Sequence, residues 1–198
     1  MQRKRLILQL FELGAIQFGA FTLKSKIISP IYLDLRLTIS QPDLLIEIAQ
    51  MLRETVQSSY DLICGVPYTA LPFATAISIA SGTPMVLRRK EKKEYGTKKN
   101  IEGIFKPGMQ CLIIEDLVTS GSSVLETAMA LREEGLQVFH AAALIDREQG
   151  GRKNLAANAI ELHSVFSIRE VLHTLQSEQK IDALTTDSTL QFLQSIQL

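Results

Sequence analysis

The spacing of apolar and polar residues predicts alternating helices and strands. Apolar residues recur at helical spacing in several segments, which predicts helices at residues 3–13, 43–57, 70–81, 122–134, 167–178 and 181–196. Short apolar or alternating runs predict strands at residues 18–23, 30–35, 61–66, 84–88, 111–114 and 138–145. Gly14, Gly82 and Gly135 follow three of the predicted helices, as is typical of helix ends.

From residue 61 onward, single helices separate the predicted strands. This order implies right-handed crossovers between parallel strands. We therefore predict an α/β fold with a central, mostly parallel sheet flanked by helices, in a single domain that covers residues 1–198. Sheets of this kind bind ligands beyond the carboxyl ends of their strands.

The segment Leu112–Ser123 carries the strongest chemical signal. Its apolar run ends in two acids, Glu115 and Asp116, and a hydroxyl- and glycine-rich loop precedes the next predicted helix. Backbone N–H groups at a helix N-terminus favour an anion, and carboxylates suit sugar hydroxyls, so we expect a ribose 5-phosphate. The glycine spacing matches neither a Walker loop nor a dinucleotide-binding fingerprint. The alternative is a strand, a turn and a capped helix that bind nothing.

Residues 89–107 interrupt the alternation of helices and strands. They are almost free of apolar residues until Ile101, and from Arg88 to Lys99 seven residues are basic and two acidic, a local net charge of +5. Long loops in compact domains are commonly functional lids. Contact with nucleic acid and a solvated run of charge are the alternatives.

Composition limits the partners and the compartment. The chain has 21 basic and 21 acidic residues, so no long-range attraction to nucleic acid or membranes is expected. We expect neither a membrane span nor a signal peptide. Cys64 and Cys111 lie in apolar runs and predict buried free thiols in a cytoplasmic protein. The histidines lack metal-site spacing and are interpreted as structural or surface residues: His140, His163 and His173.

The segment Leu112–Ser123 resembles the signature with which type I phosphoribosyltransferases bind phosphoribosyl pyrophosphate (PRPP). Further segments resemble orotate phosphoribosyltransferases, in the order of that family: Phe21–Ser25, Ser29–Tyr32, Gly65–Pro72, Arg89–Gly96 and Leu144–Gly151. The match is especially similar to the phosphoribosyltransferase half of UMP synthases. Because the chain stops at Leu198, we expect no decarboxylase half. The resemblance implies the type I phosphoribosyltransferase fold, with a small N-terminal hood at residues 1–40 and a mobile catalytic loop at residues 89–107, both approximate.

The resemblance also implies a reaction. It is the Mg²⁺-dependent transfer of phosphoribosyl from PRPP to orotate, giving orotidine 5′-monophosphate and pyrophosphate in UMP (pyrimidine) biosynthesis. The implied partners are these small substrates, without nucleic acid or membrane. A homodimer whose catalytic loop acts in trans is implied, and a monomer whose loop acts in cis is the alternative.

Residue roles follow from the resemblance position by position. Lys93 and Asp116 are implied to be catalytic. PRPP binding is implied for Lys24, Tyr68, Thr69, Arg89, Lys90, Lys93, Tyr95, Glu115, Asp116, Leu117, Val118, Thr119, Ser120, Gly121, Ser122 and Ser123. Orotate binding is implied for Lys24, Tyr32, Leu33, Thr119 and Arg147. Mg²⁺ is expected mainly on PRPP, with Glu115 and Asp116 able to reach it through water.

At three positions, the residue present qualifies what the resemblance implies. Tyr95 stands where many family members have histidine, so a cationic proton donor is not expected there. Lys26 stands where glycine is usual, and a positive φ would be unfavourable for it. Arg147 is predicted to select orotate by binding its carboxylate. Because Asp146 and Glu148 flank it, an internal ion-pair cluster is the alternative.

Two rival functions share the predicted fold. One is a phosphoribosyltransferase for a purine or uracil, against which Arg147 and the basic loop argue. The other is a regulator that binds PRPP without reacting. No DNA-binding module is recognisable in the sequence, and Lys93 favours catalysis.

Overall fold

Helices and strands cover most of the chain in this computed structural model, which describes residues 2–22, 26–90 and 100–196. The helices are α1 Gln2–Glu12, α2 Pro42–Thr55, α3 Ala70–Ser81, α4 Ser122–Glu133, α5 Gly151–Ala157, α6 Ile168–Ser177 and α7 Ala183–Ser195. The strands are β1 Ile16–Thr22, β2 Ile28–Leu33, β3 Leu62–Gly65, β4 Met85–Arg88, β5 Ile101–Glu102, β6 Cys111–Val118, β7 His140–Asp146 and β8 Glu161–Ser167. A 3-10 helix spans Leu35–Ser40. In the described part of the chain, no helix is long and apolar enough to cross a membrane.

Six of the strands form one sheet, in the order β5-β4-β3-β6-β7-β8. All neighbouring strands are parallel except β4 and β5. Strands β1 and β2 form a separate antiparallel hairpin. Helices α2 and α3 pack on one face of the sheet and α4 and α5 on the other, because right-handed crossovers leave the centre of the sheet in opposite directions. The predicted α/β fold with a mostly parallel sheet is confirmed.

Burial on both faces explains the apolar runs of the central strands. All of β3 and the first five residues of β6 are buried, since helices cover both faces of the sheet. Helix α3 ends at Gly82, whose φ of 72° lies in the left-handed region that glycine adopts without steric cost. The hydrophobic pattern and the glycine stop signal therefore predict this part of the fold correctly.

Several elements differ from the sequence prediction. Strand β6 continues beyond Ile114 to Val118, because β7 extends beside it and pairs Leu117 with Ile145. Helix α5 and strand β8 are not predicted, since a helix of seven residues and a strand of mixed burial carry weak periodic signals. The 3-10 helix replaces the end of the second predicted strand. Strand β5 lies within the range predicted as a mobile loop, and residues 91–99 of that range lie outside the described residues.

The two cysteines are free, buried thiols, as predicted, and they lie on neighbouring strands. Burial raises the pKa of the Cys64 thiol to about 11 and that of Cys111 well above its ordinary value. Both thiols therefore stay protonated near neutral pH, where they are poor nucleophiles.

Lys26, just before β2, lies in the left-handed region of backbone conformation, with a φ of 63°. A residue with a Cβ atom is strained in this region, whereas glycine is not. The backbone therefore keeps a conformation that suits glycine although the sequence supplies lysine.

Replacing Lys26 with glycine should relieve this strain. We expect Lys26→Gly to raise the free energy of unfolding by about 0.5–1 kcal/mol in denaturant titrations, because the relieved strain exceeds the entropy that glycine adds to the unfolded chain. Lys26→Ala is the matched control, since it removes the same long side chain but keeps the Cβ atom. Equal stability of the two variants would contradict the prediction.

Candidate active site

The direction in which the chain crosses the sheet reverses between β3 and β6. From β3 the chain moves outward to β4, and from β6 it moves the opposite way through β7 and β8. In open α/β sheets, ligands bind in the crevice beyond the carboxyl ends of the strands at such a point. The loops after β3 and after β6, residues 66–69 and 119–121, both border this crevice.

Glu115 and Asp116 lie in the last part of β6, at this edge of the sheet. Glu115 is only 6% exposed, whereas Asp116 is half-buried. The backbone N–H of Asp116 donates to Glu115 Oε1 at 3.0 Å. Burial, together with the neighbouring carboxyl of Asp116, raises the pKa of Glu115 well above its ordinary value. Hydrogen-bond donors or a cation beside this acid pair would therefore stabilise the charged form of Glu115.

A cavity of about 100 Å³ lies against the loop that follows β6. It is lined by Glu115, Leu117, Val118, Thr119, Ser120, Gly121, Ser122, Ser123 and Val124. The space equals roughly three water molecules, which suits a phosphate group. Gly121, at the N-cap of α4, has no side chain to cap the helix, and the N–H of Ser122 makes only a long bond of 3.4 Å to Ser120 Oγ. Donors at this helix N-terminus are therefore available to an anion.

Helix α5 supports this loop, and the sequence interpretation missed its contribution. Asn154 Nδ2 donates to the carbonyl oxygen of Ser120 at 2.9 Å. A Cβ atom on Gly151 would lie 2.6 Å from the carbonyl oxygen of Thr119, so glycine is required for this close packing. The adjacent glycines 150 and 151 are the sequence signal for it, because glycine marks places where another backbone approaches closely.

The loop after β3 presents Tyr68 and Thr69 at the start of α3. Tyr68 is 63% exposed, Thr69 is the N-cap of α3, and the peptide bond between Pro67 and Tyr68 is cis. Lys90 Nζ lies 5.3 Å from the centroid of the Tyr68 ring, within the range of a cation–π contact. The structure therefore brings Lys90 and Tyr68 together within one chain.

Residues 88–99, here called the basic segment, connect β4 to β5, which pair as a short hairpin. The backbone N–H of Arg89 donates to the carbonyl of Asn100 at 2.9 Å, which closes the base of the segment. The side chain of Arg89 pairs with Glu102, and that of Arg88 pairs with Glu126 at 3.2 Å. These arginines are therefore partly neutralised by their own chain. Three predicted site residues lie outside the described residues: Lys24, Lys93 and Tyr95.

Arg147 follows β7 and adjoins the loop after β6, since its backbone N–H donates to the carbonyl of Val118 at 2.9 Å. Its guanidinium is largely buried, which lowers its pKa, and Nε has no hydrogen-bond partner among the described residues. The flanking acids pair with other arginines, Asp146 with Arg152 at 3.3 Å and Glu148 with Arg169 at 3.7 Å. These contacts disfavour an ion-pair cluster around Arg147 and leave its guanidinium able to bind an anion.

Tyr32 and Leu33 lie on β2, in the N-terminal hairpin. The Tyr32 ring stacks on Phe21, with centroids 5.4 Å apart, and Arg36 donates to its hydroxyl at 3.2 Å. Within the described ranges, no hydrogen bond joins Tyr32 to the acids of β6 or to Arg147. The structure therefore orders the Tyr32 side chain without linking it directly to the other predicted site residues.

Gln149 connects the Arg147 loop with the C-terminal helix α7, and the sequence interpretation gave it no role. Its Nε2 donates to the carbonyl of Ile196 at 3.1 Å, and α7 packs against β2. Gln149 is only 2% exposed, and its Oε1 has no hydrogen-bond partner in the described part of the chain. The hairpin with Tyr32 and the loop with Arg147 therefore share α7 as a common support.

The fold and this site define a phosphoribosyltransferase. An open α/β sheet carries acids and an amide-lined loop at its switch point, and this combination suits a ribose 5-phosphate. The family model described as "Phosphoribosyl transferase domain" matches residues 38–171.

Comparison with individual relatives identifies the group of phosphoribosyltransferases to which this chain belongs. Uridine 5′-monophosphate synthase of Bos taurus is 51% identical over 192 residues, which are 96% of this chain but only 40% of that protein. Orotate phosphoribosyltransferase of Chlamydia caviae is 45% identical over 181 residues, 89% of this chain and 87% of that protein. The structure of Leishmania donovani UMP synthase superimposes with a TM-score of 0.88 at 32% identity, covering 97% of this chain and 42% of that one. The chain therefore belongs to the orotate phosphoribosyltransferases.

Replacing Glu115 with glutamine should raise the stability of the fold and lower the enzymatic activity. Because the pKa of Glu115 is raised in the folded protein, the wild type loses stability as pH rises from the unfolded-state pKa of this carboxyl through its folded-state pKa. The glutamine of the variant stays neutral and therefore causes no such loss. We expect the variant to be more stable than wild type near pH 7 to 8, with the gain shrinking towards about pH 4. Its kcat/KM for PRPP should fall about 10–100-fold, because hydrogen bonds from the bound ribose hydroxyls favour the charged carboxylate and the neutral amide of glutamine accepts weaker ones.

Denaturant titrations across this pH range check the stability, and Glu126→Gln is the control because that side chain is 65% exposed. A difference in stability between Glu115→Gln and wild type that does not vary with pH would refute the prediction.

Proposed function

We propose that this chain transfers the phosphoribosyl group of PRPP to N1 of orotate, giving orotidine 5′-monophosphate and pyrophosphate for UMP synthesis. The observation that carries the proposal is the cavity at the switch point, where Glu115 and the loop 117–123 surround one small space. Arg147, whose Nε is unpaired within the described residues, adjoins the same loop. These groups match two of the three parts of the reaction, the sugar phosphate and the anionic base, and the third part, the leaving diphosphate, is assigned to other residues.

The loop from Leu117 to Ser123 is assigned to the 5′-phosphate. Its hydroxyls and the N–H groups at the start of α4 donate to phosphate oxygens, and the dipole of α4 adds a partial positive charge. Glu115 and Asp116 accept hydrogen bonds from the 2′- and 3′-hydroxyls. The negative charge of Asp116 also stabilises the cationic character that the ribose develops as the bond to diphosphate breaks.

Magnesium fits this donor set. Carboxylate oxygens beside ligand phosphates are what Mg²⁺ prefers, and it retains several waters in such sites. Asp116 is better suited than Glu115 to a water-mediated contact, because it is half-buried and burial favours the neutral form of Glu115. When bound with PRPP, Mg²⁺ would neutralise charge on the leaving diphosphate.

The leaving diphosphate is assigned to the loop after β3 and to the basic segment. Tyr68 and Thr69 lie at the crevice, and Lys90 already contacts the Tyr68 ring. Arg89 has to exchange its pairing with Glu102 for the diphosphate, and a partly exposed ion pair of this kind contributes little stability. The resemblance to orotate phosphoribosyltransferases implies that Lys24, Lys93 and Tyr95 also bind PRPP, with Lys93 as the catalytic lysine.

Orotate is assigned to Arg147, Tyr32, Leu33, Lys24 and Thr119. The guanidinium of Arg147 can bind the orotate carboxylate with two parallel hydrogen bonds. A neutral base would leave this largely buried cation without a partner, which is unfavourable. This difference favours orotate over uracil or a purine.

The proposal includes small-molecule substrates and a cytoplasmic location. The substrates are orotate and PRPP, and neither a nucleic acid nor a membrane is needed to complete the site. Cys64 and Cys111 are unpaired thiols, which suits the reducing cytoplasm.

The decisive experiment mixes the protein with PRPP, Mg²⁺ and orotate. We expect the ultraviolet absorbance of orotate to fall as product forms, with little turnover of uracil or hypoxanthine. Arg147→Lys should raise the KM for orotate about tenfold or more with little change for PRPP, because lysine cannot bind a carboxylate as a fork.

Arg169→Lys is the matched control for this experiment, because Arg169 pairs with Glu148 next to Arg147. Equal use of uracil and orotate, or an unchanged KM for orotate in Arg147→Lys, would exclude the assigned role of Arg147. Lack of any orotate turnover by the wild-type protein would exclude the activity itself.

A homodimer with the basic segment acting in trans is also part of the proposal. The groove between α2 and α3 has a volume of about 900 Å³ and exposes Ile46 and Ile79 by 61% and 80%. An apolar surface of this kind suits contact with a second subunit. The contact of Lys90 with Tyr68 of its own chain favours the cis alternative, so the two arrangements need a direct test.

Hybrid dimers distinguish trans from cis action. Lys93→Ala and Asp116→Asn should each be nearly inactive alone. If the segment acts in trans, mixing equal amounts should restore about a quarter of wild-type activity, because half of the dimers are hybrids with one intact site. Subunit exchange is verified with differently tagged variants. Full exchange without recovered activity would rule out trans action.

A further inference from the structure

Three potential metal ligands meet at the amino-terminal ends of β7 and β8. His140 Nδ1 lies 3.1 Å from His163 Nε2. Glu161 Oε2 lies 3.6 Å from His140 Nδ1 and 3.7 Å from His163 Nε2. The three donor atoms thus form a compact triangle whose shortest side joins the two histidines. This group is separate from the candidate active site, because the length of β7, about 20 Å, lies between the two edges of the sheet.

Strand register brings these side chains together. In the parallel pair of β7 and β8, His140 is aligned with Glu161 and Ala142 with His163. Aligned residues, and residues two apart on one strand, point to the same face of a sheet. The small side chain of Ala142 leaves the His163 ring free to lean towards His140, and the two ring centroids are 5.2 Å apart.

The two ring nitrogens are 3.1 Å apart, so a hydrogen bond between the imidazoles is the alternative to a shared metal ion, but such a bond does not account for the position of Glu161. The separations of 3.6 and 3.7 Å from Glu161 are too long for hydrogen bonds. A point exists roughly 2 Å from all three donor atoms, which is the bond length of zinc to imidazole nitrogen and carboxylate oxygen. Neutral imidazole and carboxylate are also the donor types that zinc and its neighbours in the transition series accept.

We propose that His140, Glu161 and His163 bind a divalent transition-metal ion of the zinc class, with a further coordination position open to water. Two imidazoles and one carboxylate form a ligand set that zinc uses in proteins. Nitrogen donors distinguish this site from the oxygen donors that suit Mg²⁺.

Access and charge both allow an ion to bind. The Glu161 side chain is 66% exposed, whereas the histidines are 22% and 18% exposed, so the ion can enter from the side of Glu161. The nearby cation Arg152 is engaged by Asp146 at 3.3 Å and by the carbonyl of Leu162 at 2.5 Å. A bound ion would tie β8, which is an edge strand, to β7.

The test titrates zinc into metal-free protein in competition with a chromophoric chelator, with excess Mg²⁺ present to occupy carboxylate sites. We expect one zinc ion per chain, and cobalt should give the visible absorption of a nitrogen-coordinated ion. His140→Ala, His163→Ala and Glu161→Gln should each weaken zinc binding about tenfold or more. His173→Ala is the matched control, because His173 is exposed on α6 and should leave binding unchanged.

Thermal unfolding supplies a second readout that does not depend on activity. Zinc at roughly 100 times its Kd should raise the midpoint of wild type and of His173→Ala by about 5–10 °C, and that of the ligand variants by less. Glu161→Gln changes an exposed side chain, so it keeps the test valid if a histidine variant does not fold. The proposal is overturned if zinc does not bind with saturation, or if the ligand variants bind zinc as tightly as wild type.

Discussion

The pairing of β6 between β3 and β7 is the constraint on which the rest of the structure depends. Strand β6 has a parallel neighbour on each side and helices on both faces, so its carboxyl end has little freedom. Glu115 belongs to the part of the strand that pairs with β7, and the loop to α4 starts where that pairing stops. Charged groups and backbone donors are thereby fixed before any ligand binds, which is what electrostatic catalysis requires.

Burial sets the electrostatics of the crevice. It disfavours the charged forms of both Glu115 and Arg147, two groups of opposite charge that adjoin one loop. A ligand that brings hydroxyls to the acid and a carboxylate to the guanidinium satisfies both at once. Arg89 differs, because Glu102 already pairs with it. The site therefore combines fixed, buried groups with a more exposed cation that can change partners.

The same strand pairing gives the two ends of the sheet different chemistry. Between β6 and β7 it aligns Val118 with Asp146 at the carboxyl end, beside the acids and backbone amides of the crevice. Between β7 and β8 it aligns His140 with Glu161 at the amino end, where imidazole nitrogens gather. Oxygen donors at one end and nitrogen donors at the other favour different ions, which is the physical basis of the two separate metal sites proposed above.

The sequence by itself determined the main helices and strands and the segments that border the crevice. Burial imposes a period on each long element, and the acids, the glycine-rich loop and Arg147 belong to local motifs that can be read without the fold. Helix α5 is too short to show a clear period, so its support of Ser120 through Asn154 was decided only by the tertiary structure. The tertiary structure also decided that Arg89 pairs with Glu102 and that two histidines 23 residues apart come into contact. The physical reason is that strand register and loop packing join residues distant along the chain, and the spacing of residues in the sequence does not encode those contacts.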